Sequence, residues 1–295
     1  MNISFLLFNV IFFNLLIFIF SKKLMFFFNI YDYPDSGRKF HKKKTSLFGG
    51  TVILLNIIFF CILNFLFDSS LIKQINLIQF SIGSFLFYLL GLIDDKYDLN
   101  SNLKFLFGVA ITLIVVLIDR NILIDRLVFS SFDLVVNLGV YSHIFSIICI
   151  IIFINALNMF DGINLQAGTY CFIVISSLFF FSDEVNLLLV INISLVFFLY
   201  LNYNSKLFLG DSGTHLLGFI IAYLVIYSAQ GSEYVLLTAD KIFMIMILPG
   251  LELIRLFFKR ILKKKHPFSS DRNHIHHILL DNFNENQTLT ILNLL

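Results

Sequence analysis

Apolar runs of about twenty residues recur from one end of this chain to the other, each long enough to cross the roughly 30 Å hydrocarbon core of a bilayer as a helix. Nine can be bounded, at about 3–21, 47–67, 75–93, 103–119, 135–154, 166–182, 186–203, 214–230 and 241–258. They are continuous rather than alternating, which disfavours a β-barrel. Of the 295 residues, 58% are hydrophobic and 14% charged. A soluble domain carries about 25% charge, so this chain lacks the polar groups to cover a water-facing surface. The expectation is an all-α, polytopic transmembrane helical bundle, one domain over residues 1–295. The first run has no basic residue before it and Lys22-Lys23 after it. Those flanks are the reverse of a secretory signal's, so the run reads as a retained span. Gly83, Gly91 and Gly108 suit close helix packing. Cys61, Cys149 and Cys171 sit inside apolar runs without metal-ligand spacing and read as small buried hydrophobes. Gln287 to Leu295 opens another apolar run too short to span, so the expectation is a missing final span or a truncated gene product.

Net charge is only +2, but its distribution is informative. Seventeen of the 21 Lys and Arg fall in segments that follow runs one, three, five, seven and nine, and the other four are Lys73, Arg120, Arg126 and Lys241. The positive-inside rule then places the basic segments in the cytoplasm and the N-terminus outside. Every unusual polar cluster falls in those same segments. Five loops on one face read as a single cytoplasm-facing site.

The first cluster runs Asp32-Tyr-Pro-Asp35-Ser-Gly-Arg38-Lys39-Phe-His41-Lys42-Lys43-Lys44. It either anchors to anionic lipid or holds a lipid phosphate. The second is Asp94-Asp95-Lys96-Tyr97-Asp98, followed by Lys104. Carboxylates at a membrane boundary are costly unless paired or bound to a cation. Asp94 and Asp98 are one helical turn apart and are expected to face the same way. The reading is either a Mg²⁺ site of hard oxygen ligands or a solvated cap with Lys partners. In the third, Asn155, Asn158 and Asp161 recur every three residues before Gly162 and Asn164. They offer either oxygen donors or interhelical hydrogen bonds. The fourth, Gly210-Asp211-Ser212-Gly213-Thr214-His215, is either a turn with a helix cap or a carboxylate and N–H groups presented to a phosphate or metal. The fifth holds Asp271, Arg272, His274, His276 and His277. Zinc is disfavoured, since there is no Cys and adjacent His276 and His277 point apart. Arg with imidazoles suits phosphates and sugar hydroxyls. Jointly the clusters supply ligands for a divalent cation and cations for phosphates beside the lipid, a kit for phosphoryl transfer.

The ordered motifs Arg38-Lys39-x-His41, Asp94-Asp95-x-x-Asp98 with Lys104, Asn155-x-x-Asn158-x-x-Asp161-Gly162, Gly210-Asp211-x-Gly213 and Ser-Asp271-Arg272-x-His274-x-His276-His277 resemble those of the polyprenyl-phosphate N-acetylhexosamine-1-phosphate transferase superfamily, glycosyltransferase family 4. The likeness extends from Asp32 to His277, and the last motif looks most like the undecaprenyl-phosphate GlcNAc-1-phosphate transferase branch. The resemblance implies transfer of an N-acetylhexosamine-1-phosphate from a UDP-amino-sugar to undecaprenyl (polyprenyl) phosphate, releasing UMP as the first membrane step of a cell-surface glycan pathway. It implies a multi-pass protein of the bacterial inner membrane, no nucleic acid, and a homodimer as one assembly. Asp211 and Asn158 would hold Mg²⁺, with Mn²⁺ as a substitute. Asp94, Asp95, Asp98, Lys104 and Asp161 would form the catalytic set, Asp94 and Asp95 positioning or deprotonating the lipid phosphate and Lys104 meeting phosphate charge. Asp161 and Asn164 would line the nucleotide or sugar pocket. Arg38, Lys39, His41, Asn155, Arg272, His274, His276 and His277 would complete substrate binding. The chain departs from the family pattern where Asn164 stands for an acidic residue, Leu165 for a Gly and Ser46 for a Pro, and family members generally have ten or eleven spans. The other readings are a phospho-MurNAc-pentapeptide translocase-like activity, an anionic-solute transporter, or an inactive truncated relative.

Overall fold

Each of the nine apolar runs folds as a helix in the computed structural model, which describes residues 3–34, 44–67, 76–230, 237–264 and 274–294. The helices are α1 (Ile3–Phe28), α2 (Gly49–Leu66), α3 (Leu77–Tyr97), α4 (Ser101–Ile118), α5 (Ser142–Phe160), α6 (Gln166–Ser177), α7 (Val185–Tyr203), α8 (Gly210–Gln230) and α9 (Ala239–Leu262), followed by α10 (Ile275–Leu280) and α11 (Glu285–Leu294). Two small antiparallel pairs complete the fold: β1 (Tyr31–Asp32) with β2 (Thr45–Ser46), and β3 (Arg126–Phe129) with β4 (Leu134–Asn137).

Among the described residues, seven helices are long and apolar enough to cross a membrane, namely α1 to α5, α7 and α8. The other two runs differ from expectation for physical reasons. With 12 residues, α6 rises only about 18 Å before the chain tightens into one 3₁₀ turn at Leu178–Phe180. The 24 residues of α9 are long enough, but Asp240, Lys241, Glu252, Arg255, Lys259 and Arg260 make it amphipathic. The fifth run also starts later than expected. Its first residues belong to β4, and α5 continues to Phe160, so Asn155 and Asn158 lie within helix.

The hub is α8, in which every residue from Ser212 to Ser228 is buried. It packs chiefly against α3, α5 and α2. Lipid tails are as apolar as a helix face, so burial alone gives no drive for association in a bilayer, and close backbone approach decides which helices pair. Gly91 of α3 lies against the Asp211–Ser212 backbone, and Gly50 of α2 against the Gly213 backbone. Farther along, Phe80, Phe87, Phe219 and Tyr223 stack between α3 and α8 with ring centroids 5.1–6.5 Å apart. Outward-facing Phe8, Phe12, Leu106 and Leu117 of α1 and α4 are exposed, as a lipid-facing surface requires. Between α1 and α2, buried Asn14 and Asn56 exchange amide hydrogen bonds at 2.7 and 3.1 Å, fixing the register of that pair. At the opposite end of α8 from Asp211, Tyr223 donates to Asp119 at 2.5 Å. There the β3–β4 turn is tied to the start of α9 through Ser130 and Ser131, which donate to the Asp240 carboxylate.

Candidate functional site

At the Asp211 end of the bundle a cavity of about 860 Å³ is lined from the β1 strand, the α3–α4, α5–α6 and α7–α8 connections, and the segment after α9. These five regions are the ones that carry the polar clusters, brought together by the alternation of helix direction.

Its organising contact joins α3 to α8. The first N–H groups of a helix have no partner within it. In α8 the N–H groups of Asp211 and Ser212 donate to the Asp95 carboxylate, at 2.7 and 2.9 Å. Gly210 has a φ of +74°, and a side chain there would meet that carboxylate. The glycine is therefore demanded twice, by its left-handed backbone and by Asp95. Held this way, the side chain of Asp211 is presented to α4 and α5. Its Oδ1 accepts from Asn158 Nδ2 at 2.5 Å and its Oδ2 from Lys104 Nζ at 3.3 Å. Lys104 also pairs with Asp94, which in turn accepts the Leu99 N–H at 2.9 Å. Asn158 reaches Thr214 Oγ1 at 2.9 Å, and His215 Nδ1 lies 2.7 Å from the Asp211 carbonyl oxygen. Asp94, Lys104, Asn158 and Asp211 thus form one polar chain from α3, α4, α5 and α8.

Asp161 caps the end of α5 and lines the cavity, half-buried. Its carboxylate makes no hydrogen bond among the described residues. Burial, followed by the charges of Asp211 and Asp95, raises its pKa to about 7. Asp98 also lines the cavity but does not share a face with Asp94, as the spacing had suggested. The helix ends at Tyr97, and Asp98 adopts a left-handed φ of 50° and is exposed, while Asp94 is 5% exposed and paired with Lys104. Asn155 lines the cavity too, with its amide donating back to the Ile151 carbonyl.

The α5–α6 loop explains how Leu165 replaces a glycine. Leu165 has a φ of 70°, and its N–H is held at 2.7 Å by Asn202 Oδ1. The other end of the same amide donates to the Leu207 carbonyl at 2.8 Å. Asn202 therefore stitches this loop to the α7–α8 loop, and Asn164 adds a bond to Ser205 at 3.1 Å. On the facing rim, the rings of His274, His276 and His277 pack together, with centroids 4.4–6.2 Å apart. His276 presses on Gly162. Burial, then its neighbours His277 and His274, push its pKa down to about 3, so this ring is neutral. Arg38, Lys39, His41 and Arg272 lie outside the described residues.

Sequence reasoning missed Asn202 and Glu252. Asn202 carries no signal beyond being polar near a helix end. Glu252 carries one that could have been used, a carboxylate inside an otherwise apolar run. For a metal, Asp211, Asn158 and Asp161 offer hard oxygen atoms, which fits Mg²⁺. Among the described residues no three His, Cys, Asp or Glu side chains group as a metal site.

The sequence model for Glycosyl transferase family 4 matches residues 77–229. An undecaprenyl-phosphate alpha-N-acetylglucosaminyl 1-phosphate transferase of Escherichia coli O157:H7 is 27% identical over 204 residues, covering 65% of this chain and 54% of that protein. A probable undecaprenyl-phosphate N-acetylglucosaminyl 1-phosphate transferase of Bacillus subtilis strain 168 is 27% identical over 257 residues, covering 83% of this chain and 68% of that protein. A Salmonella typhi transferase with the E. coli protein's name is 25% identical over 202 residues, 64% of this chain and 54% of its own. The chain thus spans about half the length of the enterobacterial relatives it matches.

Proposed function

Because the chain belongs to glycosyl transferase family 4, we propose that its cavity transfers an N-acetylhexosamine-1-phosphate from a UDP-amino-sugar to undecaprenyl or another polyprenyl phosphate. The observation that carries this reading is the meeting of Asp94, Lys104, Asn158 and Asp211 from four helices, the last three of them lining one cavity. A transporter would place such groups near the bilayer midplane, whereas these lie at helix ends.

In the proposed reaction an oxygen of the lipid phosphate attacks the β-phosphorus of the nucleotide sugar. The bond from that phosphorus to the oxygen bridging to the α-phosphate breaks, UMP leaves with the bridging oxygen, and a polyprenyl diphospho-sugar remains. A phosphate monoester is already largely ionised at neutral pH, its second pKa being about 6, so little proton abstraction is required. Positioning and electrostatics carry the rate. Asp211 and Asn158, with Asp161 beside them, would hold Mg²⁺, which supplies charge neutralisation for the pyrophosphate and the leaving UMP. Lys104, already between two carboxylates, is placed to exchange one of them for a substrate phosphate. Asp95 keeps the start of α8, and with it Asp211, in place. The histidine rim and Asn164 face the cavity where the nucleotide sugar would lie.

Lys104 and Arg260 line the cavity, and the positive-inside rule, applied to the segments that carry seventeen of the 21 Lys and Arg, supports a cytoplasm-facing site in the bacterial inner membrane with the N-terminus outside. The test is to incubate the purified protein with undecaprenyl phosphate, Mg²⁺ and a panel of UDP-sugars and to measure UMP. Release that requires both the lipid phosphate and one of the UDP-amino-sugars is expected. UMP release that is independent of lipid would sink the reading.

A further inference from the structure

We infer that Glu252 is a positioning residue that fixes the histidine rim against the cavity, and so sets the affinity for the anionic soluble substrate. The inference rests on the transferase reading above. Glu252 lies on α9 and is 4% exposed, where a lone carboxylate would be costly. It is instead a junction. Arg255, one turn on, donates to it through Nε at 3.0 Å and Nη2 at 2.9 Å. Its Oε1 accepts the N–H of Ile275 at 3.0 Å and lies 3.4 Å from Nδ1 of His274.

Ile275 is the first residue of α10, and its N–H has no partner within that helix. One carboxylate therefore fastens the entry to α10 while Arg255 balances its charge. The geometry passes onward by contact. His274 stacks on His276 with rings 5.3 Å apart and 17° from parallel. His276 in turn fills the space left open by Gly162, beside Asp161. Glu252 does not line the cavity, whereas His274, His276 and His277 do. Its influence must run through the rim.

The test compares Glu252→Gln and Ile275→Pro with the unaltered full chain. An amide cannot accept from Ile275 while also neutralising Arg255. The second variant deletes the donor and leaves Glu252 in place. Proline is tolerated at the first helical position, and His274 already has the ψ of 150° that a following proline requires. The expected result is a KM for the UDP-sugar raised on the order of tenfold by Glu252→Gln and several-fold by Ile275→Pro, the tenfold loss corresponding to about 1.4 kcal/mol. The KM for the lipid phosphate stays within twofold. Unchanged nucleotide KM in both variants, or equal losses for both substrates, would overturn the inference. Hydrogen exchange of residues 274–280 is read alongside and needs no turnover. Faster exchange there in Glu252→Gln is expected, and unchanged exchange counts against the anchor even if no UDP-sugar is turned over. Failure of the unaltered protein to turn over any UDP-sugar indicts the transferase reading alone.

Discussion

Removing the Asp95 carboxylate should loosen α8 before any substrate is present. In Asp95→Ala the N–H groups of Asp211 and Ser212 lose acceptors now at 2.7 and 2.9 Å. Hydrogen bonds to a charged group contribute about 1.5–3 kcal/mol each. Two of them give an upper figure of about 3–6 kcal/mol; water entering from the cavity replaces part of it, leaving about 2–4 kcal/mol. For domains of 150–250 residues, each kcal/mol moves the melting temperature by about 2–4 °C. A fall of roughly 4–16 °C is therefore expected, toward the lower end for this somewhat longer chain. Asp95→Asn, which keeps one acceptor oxygen, should fall by about half as much. The protein has no tryptophan, but its three free cysteines lie half-buried or buried in helices, so exposure of thiols to a fluorogenic maleimide reports unfolding in detergent. If Asp95 acted only by touching the lipid phosphate, Asp95→Ala would lose turnover and keep the native melting temperature. That result would refute the capping argument.

Other perturbations have equally definite outcomes. Gly91→Ala would drive a methyl group into the Asp211–Ser212 backbone; a loss of about 1–3 kcal/mol is expected, with turnover falling as Asp211 is displaced, both read on the purified variant. Asn14→Leu leaves Oδ1 of Asn56 without its donor, while Nδ2 keeps the Val52 carbonyl, and should cost about 0.6–2 kcal/mol; adding Asn56→Leu restores most of it, and a double-mutant cycle in thermal melts that finds the two losses additive would exclude the pairing. Asp161 keeps its proton until about pH 7. Its ionised form attracts a cation, so Mg²⁺ affinity measured by calorimetry should rise from pH 6 to pH 8, and Asp161→Asn should flatten that rise.

Much of this architecture was readable from the chain. Hydrophobic length set the helices, and the segregation of charge marked the loops that now share one cavity. Asn158 and Asp211, 53 residues apart in sequence, meet at 2.5 Å, two residues that the family resemblance also puts together. What escaped reading depends on distant backbone. Nothing local reveals that Asp95 accepts from two N–H groups more than a hundred residues away. The exposed place of Asp98, apart from buried Asp94, goes with a left-handed cap that helical spacing cannot foresee. Glu252 hid inside an apolar run, its meaning supplied only by the contact with Ile275 at the start of α10. Leu165 read as a departure, until Asn202 was found holding its strained backbone.

The most direct measurement titrates Mn²⁺, in place of Mg²⁺, into the purified protein with a UDP-amino-sugar present, following free ion by electron paramagnetic resonance. One strongly bound ion per chain is the expected result for the unaltered protein, and its affinity should collapse in Asp211→Asn while the protein stays folded. Equal Mn²⁺ binding by the two proteins would contradict the assignment of this cavity as the transfer site.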